Sequence, residues 1–155
     1  MRLSQDPSLS DKIGGFITEE FREKGQRLGF KIIALPGKEE GLLARKGYPS
    51  PHRVGKYGVN IQDLEKIGCS SLEAALHSGK FIIIDEIGKM ELFSEKFRTV
   101  LYQALEAPQK MLATIMETKN EFADRIKKRK DVRVILLNRD NFDRVYPEVR
   151  EWLKI

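Results

Sequence analysis

Residues 81–92, Phe-Ile-Ile-Ile-Asp-Glu-Ile-Gly-Lys-Met-Glu-Leu, constrain the fold more than any other stretch of the chain. A short apolar, β-branched run suits a strand buried on both faces. It stops at two adjacent carboxylates, Asp85 and Glu86. A buried strand that ends in acids sets them at the mouth of a parallel sheet, where open α/β sheets bind ligands. In nucleotide hydrolases this pattern is a Walker B element. There the Asp holds Mg²⁺, usually through water, and the next Glu orients and deprotonates the attacking water. A plain buried strand running into a polar turn reads the same over Ile82–Ile87, so on these six residues the two readings stand level.

The flanking chain supplies the rest of the fold. Ile13–Thr18 and Leu28–Leu35 read as two strands of a hairpin with a charged connection and a turn at Gly25. Pro36-Gly37 signals a turn. Lys38 to Gly58 is rich in Gly, Pro and cations and reads as a long surface connection. Helical patterning begins at Asn60, with Leu64 and Ile67 on one face. Ser70 with Glu73 forms a capping box for a short helix that Gly79 stops. Ser94 caps a helix with Phe97, Val100, Leu101, Ala104 and Leu105 inward, ended by Pro108. Met111–Met116 is a strand. Thr118 and Glu121 begin a helix with Phe122 and Ile126 inward, and Val132–Leu137 is the next strand. A short helix over Phe142, Val145 and Tyr146 follows. Pro147 then opens a last helix carrying Val149, Trp152 and Leu153. From Asn60 onward strands alternate with helices, which argues for βαβ units and a parallel sheet.

With 155 residues the chain fits a single domain, 1–155, with a real core. The net charge of +5 is compatible with phosphate-bearing ligands and equally with an ordinary basic surface. The lone Cys69 excludes an internal disulfide framework and fits a reducing cytoplasm. No apolar run reaches the roughly 20 residues of a membrane span, and the N-terminus lacks a signal-peptide core. His52 and His77 form no triad or metal spacing.

Several ordered blocks together resemble the cancer-related nucleoside-triphosphatases, small RecA-type P-loop hydrolases of thermophilic microbes and animals. Gly15–Arg22 is similar to that family's opening signature, and Arg27-Leu28-Gly29-Phe30 to its continuation. Leu43–Gly47, Val54–Tyr57 and Arg129–Val132 resemble further blocks, and Asp85–Leu92 is the most specific of them. The resemblance implies an α/β, RecA-like three-layer fold with a mainly parallel sheet plus an N-terminal hairpin. It implies Mg²⁺-dependent hydrolysis of the terminal phosphate of ATP, GTP and other nucleoside triphosphates with little base selectivity. By carry-over, Asp85 holds the metal and Glu86 is the catalytic base. Ile84, Asp85, Glu86, Ile87, Gly88, Lys89, Met90 and Glu91 lie beside the nucleotide. Thr114 is a candidate γ-phosphate sensor, or simply a strand residue. Phosphoryl transfer needs cations to spread developing charge, for which Arg22, Arg27, Arg45 and Lys56 are candidates. Lys127–Lys130 reads most simply as the cationic end of a helix.

One departure limits the resemblance. A Walker A loop, G-x-x-x-x-G-K-[ST], occurs nowhere in the sequence. On the alignment implied by the family, the strand and loop that carry it, roughly 20 residues, should precede Met1. Met1 would fall inside the helix that follows that loop, with Arg2-Leu3-Ser4 as its tail. Without the backbone N–H cradle and its lysine, a triphosphate loses most of its charge-assisted hydrogen bonds. The favoured expectation is therefore a nucleoside-triphosphatase that is impaired as written. The alternatives are a catalytically inactive binding or interaction module and a nucleic-acid-binding protein. The last demands cations interleaved with exposed aromatics. Lys127–Lys130 offers no such aromatics, so nucleic acid is not expected as a partner.

Overall fold

The computed structural model describes residues 9–37 and 39–154. The expected helix tail Arg2-Leu3-Ser4 lies outside them. The chain forms two compact units, Met1–Met116 and Glu117–Ile155.

The first unit is a seven-stranded sheet. Its strands are β1 (Ile13–Glu23), β2 (Gln26–Leu35), β3 (Glu40–Lys46), β4 (Arg53–Val54), β5 (Tyr57–Val59), β6 (Phe81–Ile87) and β7 (Met111–Ile115). They lie in the order β4-β5-β3-β2-β1-β6-β7. β1, β6 and β7 are parallel to one another. β1 turns back through the expected hairpin into β2, and β3, β5 and β4 continue the sheet antiparallel. The reading of Lys38–Gly58 as a surface connection is therefore corrected. Leu43, Ala44 and Val59 are at most 2% exposed, and burying these short apolar runs requires their backbone to be paired. The cationic, glycine-rich composition masked them because only short pieces of each strand face the core.

One face of the sheet is covered by a continuous helix over 61–77. It comprises α1 (Ile61–Asp63), a π-helical turn (Leu64–Cys69) and α2 (Ser70–His77). Asn60 caps it, its side chain accepting from Asp63 N–H at 3.2 Å. Ser70 does not start a helix as its capping-box signature suggested. It sits inside one, with helical φ and ψ of −63° and −37°, because Leu64, Ile67 and Leu72 share a single buried face. Cys69 packs in that face, where burial pushes its thiol up to about 12. The helix comes very close to the sheet. A Cβ on Gly14 would lie 2.5 Å from the Ala75 Cβ, and the Ser71 hydroxyl donates to Gly15 O and Leu35 O at 2.6 and 3.0 Å.

α3 (Glu95–Glu106) begins at Ser94 as the sequence indicates. Ser94 Oγ accepts from Phe97 N–H at 3.0 Å and donates to the Glu65 carboxylate at 2.7 Å. Phe97 meets Phe16 of β1 edge-on at 6.0 Å. Phe16, Ile82, Ile84, Leu101 and Phe97 are fully buried. Full burial of each large side chain is worth roughly 1.5–3 kcal/mol, which makes this contact the centre of the core.

In the second unit, α4 (Glu121–Lys127) is capped by Asn120, two residues past the expected Thr118, with Ala123 N–H donating to its side chain at 3.0 Å. α5 (Phe142–Leu153) runs through Pro147 without a break. Proline lacks an N–H, so the helix forgoes one bond there; its face of Val145 and Leu153 is nonetheless buried. Trp152 is 44% exposed. The expected strand Val132–Leu137 does not form. These residues adopt no regular structure, and Val134, Leu136 and Leu137 are at least half exposed. A β-branched run becomes a strand only beside a partner, and among the described residues none pairs with it.

Candidate active site

β6 delivers the acid pair as its sequence predicts, with one feature the sequence hides. Ile84 pairs with Ala113 and Ile87 with Ile115, so Asp85 and Glu86 together oppose the single residue Thr114. This is a β-bulge, uncommon in a parallel pair, and it breaks the strict alternation of side chains. Beyond it the strands pair again through Met116 N–H donating to Ile87 O at 3.1 Å.

Both neighbouring strands hold the bulge. From β1, Thr18 donates its N–H and its hydroxyl to Asp85 Oδ2, at 3.1 and 3.0 Å. From β7, the Thr114 hydroxyl donates to Asp85 O. Asp85 is thus aimed by two donors on one oxygen, and among the described residues Oδ1 has no donor. Glu86 is exposed beside it. Partial desolvation, then the adjacent Asp85 charge, raise its carboxyl above the ordinary carboxylate range.

The loop after the strand is built on a buried acid. Glu91 is 2% exposed, and its carboxyl accepts from Gly88 N–H at 3.1 Å. Desolvation first, then the charges of Glu86 and Asp85, push it up to about 8 against the hydrogen bonds that favour its anion. Glu91 therefore packs inside the loop, where burial favours its protonated form. Gly88 lies under the Glu86 side chain; a Cβ there would come within 2.8 Å of Glu86 Oε1. A short 3-10 turn, Glu91–Phe93, then leads into α3. Of the remaining expected nucleotide contacts, Ile84 and Ile87 have buried side chains, Met90 is half-buried and Lys89 is exposed.

The cation candidates gather elsewhere. Arg22, Arg27 and Lys56, with Gln26, Lys46 and Tyr57, line a cleft of about 360 Å³ at the tip of the β1–β2 hairpin. Arg22 lies four residues beyond Thr18 on β1, about 13 Å at the usual strand rise. Arg45 is exposed on β3 and does not line the cleft. Both guanidiniums reach Glu20, Arg22 Nε at 2.7 Å and Arg27 Nε at 2.5 Å. The Arg22 hydrogen bond first of all holds the Glu20 carboxyl below its ordinary range. Sequence order hid this grouping, since residues 22–27 and 46–57 meet only through the β2–β3–β5 pairing. His52 packs against Phe93 at 5.0 Å, and His77 Nδ1 pairs with Glu73 O at 2.7 Å, so neither takes a site role. Lys127 lies in the last turn of α4, 3.6 Å from Asp124, as its reading as a helix end implies.

The fold recurs in known proteins. The structure superposes on the crystal structure of THEP1 from Aquifex aeolicus with a TM-score of 0.88, 32% identity, and coverage of 99% of this chain and 92% of the other. It superposes on the solution structure of a human cancer-related nucleoside triphosphatase with a TM-score of 0.80 and 32% identity, covering 98% and 87%. The fold is that of an α/β P-loop nucleoside-triphosphatase. In sequence, the chain is 51% identical over 146 residues to nucleoside-triphosphatase THEP1 of Thermotoga sp. strain RQ2, covering 94% of this chain and 83% of the relative. The corresponding protein of Thermofilum pendens is 37% identical over 141 residues, 89% and 77% of the two chains. The NTPase family profile matches residues 8–150, and the chain belongs to that family. Among the described residues no helix is long and apolar enough to cross a membrane.

Proposed function

We propose that this chain carries the metal-and-base half of a nucleoside-triphosphate hydrolase of broad base specificity, with Asp85 as the Mg²⁺ residue and Glu86 as the general base. The observation that carries this reading is the bulge at Asp85-Glu86, fixed from both sides by Thr18 and Thr114. A metal would meet Asp85 Oδ1. Among the described residues no group of three His, Cys, Asp or Glu could hold an ion. That donor set suits Mg²⁺, which keeps several waters and relies on one or two carboxylates plus substrate phosphates. When bound, the ion would polarise the phosphates and neutralise charge between their oxygens.

Glu86 acts on the water. Its raised affinity for a proton brings it nearer neutrality, where a general base works best. Thr114 is exposed at the bulge and stands where a hydroxyl can sense the end of a bound phosphate chain. Neutral Glu91 keeps a third negative charge out of the same corner.

Because the sequence contains no G-x-x-x-x-G-K-[ST] loop, turnover by these 155 residues alone is expected to be slow. A version preceded by one more strand and such a loop is expected to be active. β7 is the last strand of the sheet and only half-buried, a placement that suits a further parallel neighbour. The test is phosphate release from ATP and GTP by that extended protein and by its Glu86→Gln variant. Loss of a general base lowers turnover about 10²–10⁴-fold, with ATP binding retained. An unchanged rate in the variant refutes the assignment of Glu86. The second reading, an inactive nucleotide-binding module, rests on the absent loop motif. It predicts ATP binding without turnover even in the extended protein.

A further inference from the structure

We infer that the cleft at the tip of the β1–β2 hairpin is a second phosphate site, apart from Asp85 and Glu86, shaped for a linear polyphosphate chain. Arg22 and Arg27 stand directly opposite each other in the β1–β2 register, and Glu20 stands opposite Phe30 two residues along. Like charges directly opposite destabilise a sheet, and the Glu20 carboxylate, shared by both guanidiniums, offsets only one of the two charges. Glu20 supplies one carboxylate for four cations. Each of its oxygens takes one guanidinium Nε. Arg22 Nη1 is held by Gly25 O at 3.1 Å. Among the described residues, Arg22 Nη2 and both terminal nitrogens of Arg27 have no hydrogen-bond acceptor. Two guanidiniums are therefore braced with their donor edges free, the arrangement that recognises phosphate oxygens by paired hydrogen bonds.

Lys46 and Lys56 complete the lining. Neither has a carboxylate partner among the described residues. The cleft is wide open to solvent, and four cations line it without an acid among them, Glu20 bracing two of these from beside it. Charge packed so densely suits phosphates joined to one another rather than phosphates spaced by sugars. The aromatic rings argue the same way. Arg27 lies over Phe30 at 5.5 Å and Lys56 over Tyr57 at 5.8 Å, while the two rings meet edge-on at 5.4 Å. Cations already cover the ring faces on which bases of a single strand would stack.

The site takes inorganic polyphosphate or the triphosphate of a nucleotide by the same contacts. The experiment is calorimetric titration of the 155-residue protein with sodium tripolyphosphate in EDTA. There Asp85 and Glu86 carry no metal and repel the ligand, so binding reports the cleft whether or not the catalytic reading holds. Arg22→Ala with Arg27→Ala is expected to weaken binding about 100-fold, tenfold or more for each charge-assisted contact. Lys46→Ala with Lys56→Ala should weaken it as well, and Asp85→Asn should leave it unchanged. Glu20→Gln separates a braced site from a merely basic surface. It raises the net charge, so a diffuse surface would bind tighter, whereas a site that needs its guanidiniums held binds more weakly. ATP in place of tripolyphosphate with equal affinity identifies the shared triphosphate as the determinant; much tighter tripolyphosphate binding identifies the free chain. The inference is overturned if the Arg22/Arg27 variant, folded by circular dichroism, binds as the parent does. It is also overturned if Asp85→Asn abolishes binding, or if a single-stranded oligonucleotide binds and tripolyphosphate does not displace it.

Discussion

Glu91 makes stability depend on pH in a direction opposite to that of most carboxylates. Its carboxyl, normally titrating at 4.5, is pushed up to about 8 in the folded protein, chiefly by burial. The unfolded chain releases this proton near 4.5, while the folded chain keeps it. Stability from this group is fully present below about pH 4.5 and is lost as pH rises toward 8, because the unfolded state gains more by ionising. At about 1.4 kcal/mol per pH unit of separation, the loss comes to roughly 3 kcal/mol at pH 7 and roughly 5 kcal/mol at pH 9. Glu91→Gln removes it. The amide oxygen still accepts from Gly88 N–H, the amide N–H₂ replaces the carboxylic O–H, and no proton is exchanged. Urea unfolding in metal-free buffer at pH 5, 7 and 9 tests this. The variant should lie within about 1 kcal/mol of the parent at pH 5 and exceed it by several kcal/mol at pH 9. With a slope of about 2 kcal/mol per molar urea for a protein of this size, the midpoints should separate by about 2 M. Glu86, also raised, stays in both proteins and cancels from the difference. Parallel stability curves from pH 5 to 9 would show that Glu91 is ionised in the folded protein and that the buried-acid account of the loop is wrong.

Two further substitutions test the frame that carries the acids. Gly15 has φ of +105°, and a Cβ there would sit 2.1 Å from Ile83 O of the adjacent strand; Gly15→Ala should therefore lower thermal stability far more than a surface change, or leave the protein insoluble. A Tm within a few degrees of the parent would mean β1 and β6 can separate at this point. Ser94→Ala removes the α3 cap and leaves the Glu65 carboxylate without the hydroxyl, an expected cost of about 1–2 kcal/mol by chemical denaturation, whereas no change would show that solvent replaces both bonds.

How much of this was legible follows from where each signal resides. The β6 strand, its acids and the Ser94 cap were readable because each is local: a β-branched run, a charge step, a capping residue before a helical stripe. The hairpin was readable for the same reason. β3 to β5 were not, because two- to seven-residue strands among glycines and lysines resemble a loop until β2 offers an edge to pair with. Ser70 and Pro147 misled in the opposite sense, since a strong local signal was overridden by a continuous apolar face. Val132–Leu137 shows the converse, a run with strand composition that stays irregular for want of a partner. At the site, Asp85 and Glu86 were evident, while Thr18 was not. Nothing marks a threonine in mid-strand until β1 is laid beside β6.

That last contact explains why the acid pair and the hairpin belong to one design. β1 runs from the core under Phe16, past Thr18 at the acids, to Arg22 at the cationic cleft. Its pairing with β6 covers Ile13 to Phe16 and stops there, so Thr18, two residues on and facing the same way along the strand, stands beyond the paired stretch. Its N–H, released from the sheet, is what Asp85 accepts. Had the parallel pairing run one step further, that donor would have been spent on backbone and Asp85 would lack its anchor. The bulge at Asp85-Glu86 shortens the pairing on the β7 side in the same way, freeing a backbone oxygen for Thr114. The acids are therefore positioned where one ladder ends and the other is interrupted, and Asp85 is anchored there through one oxygen.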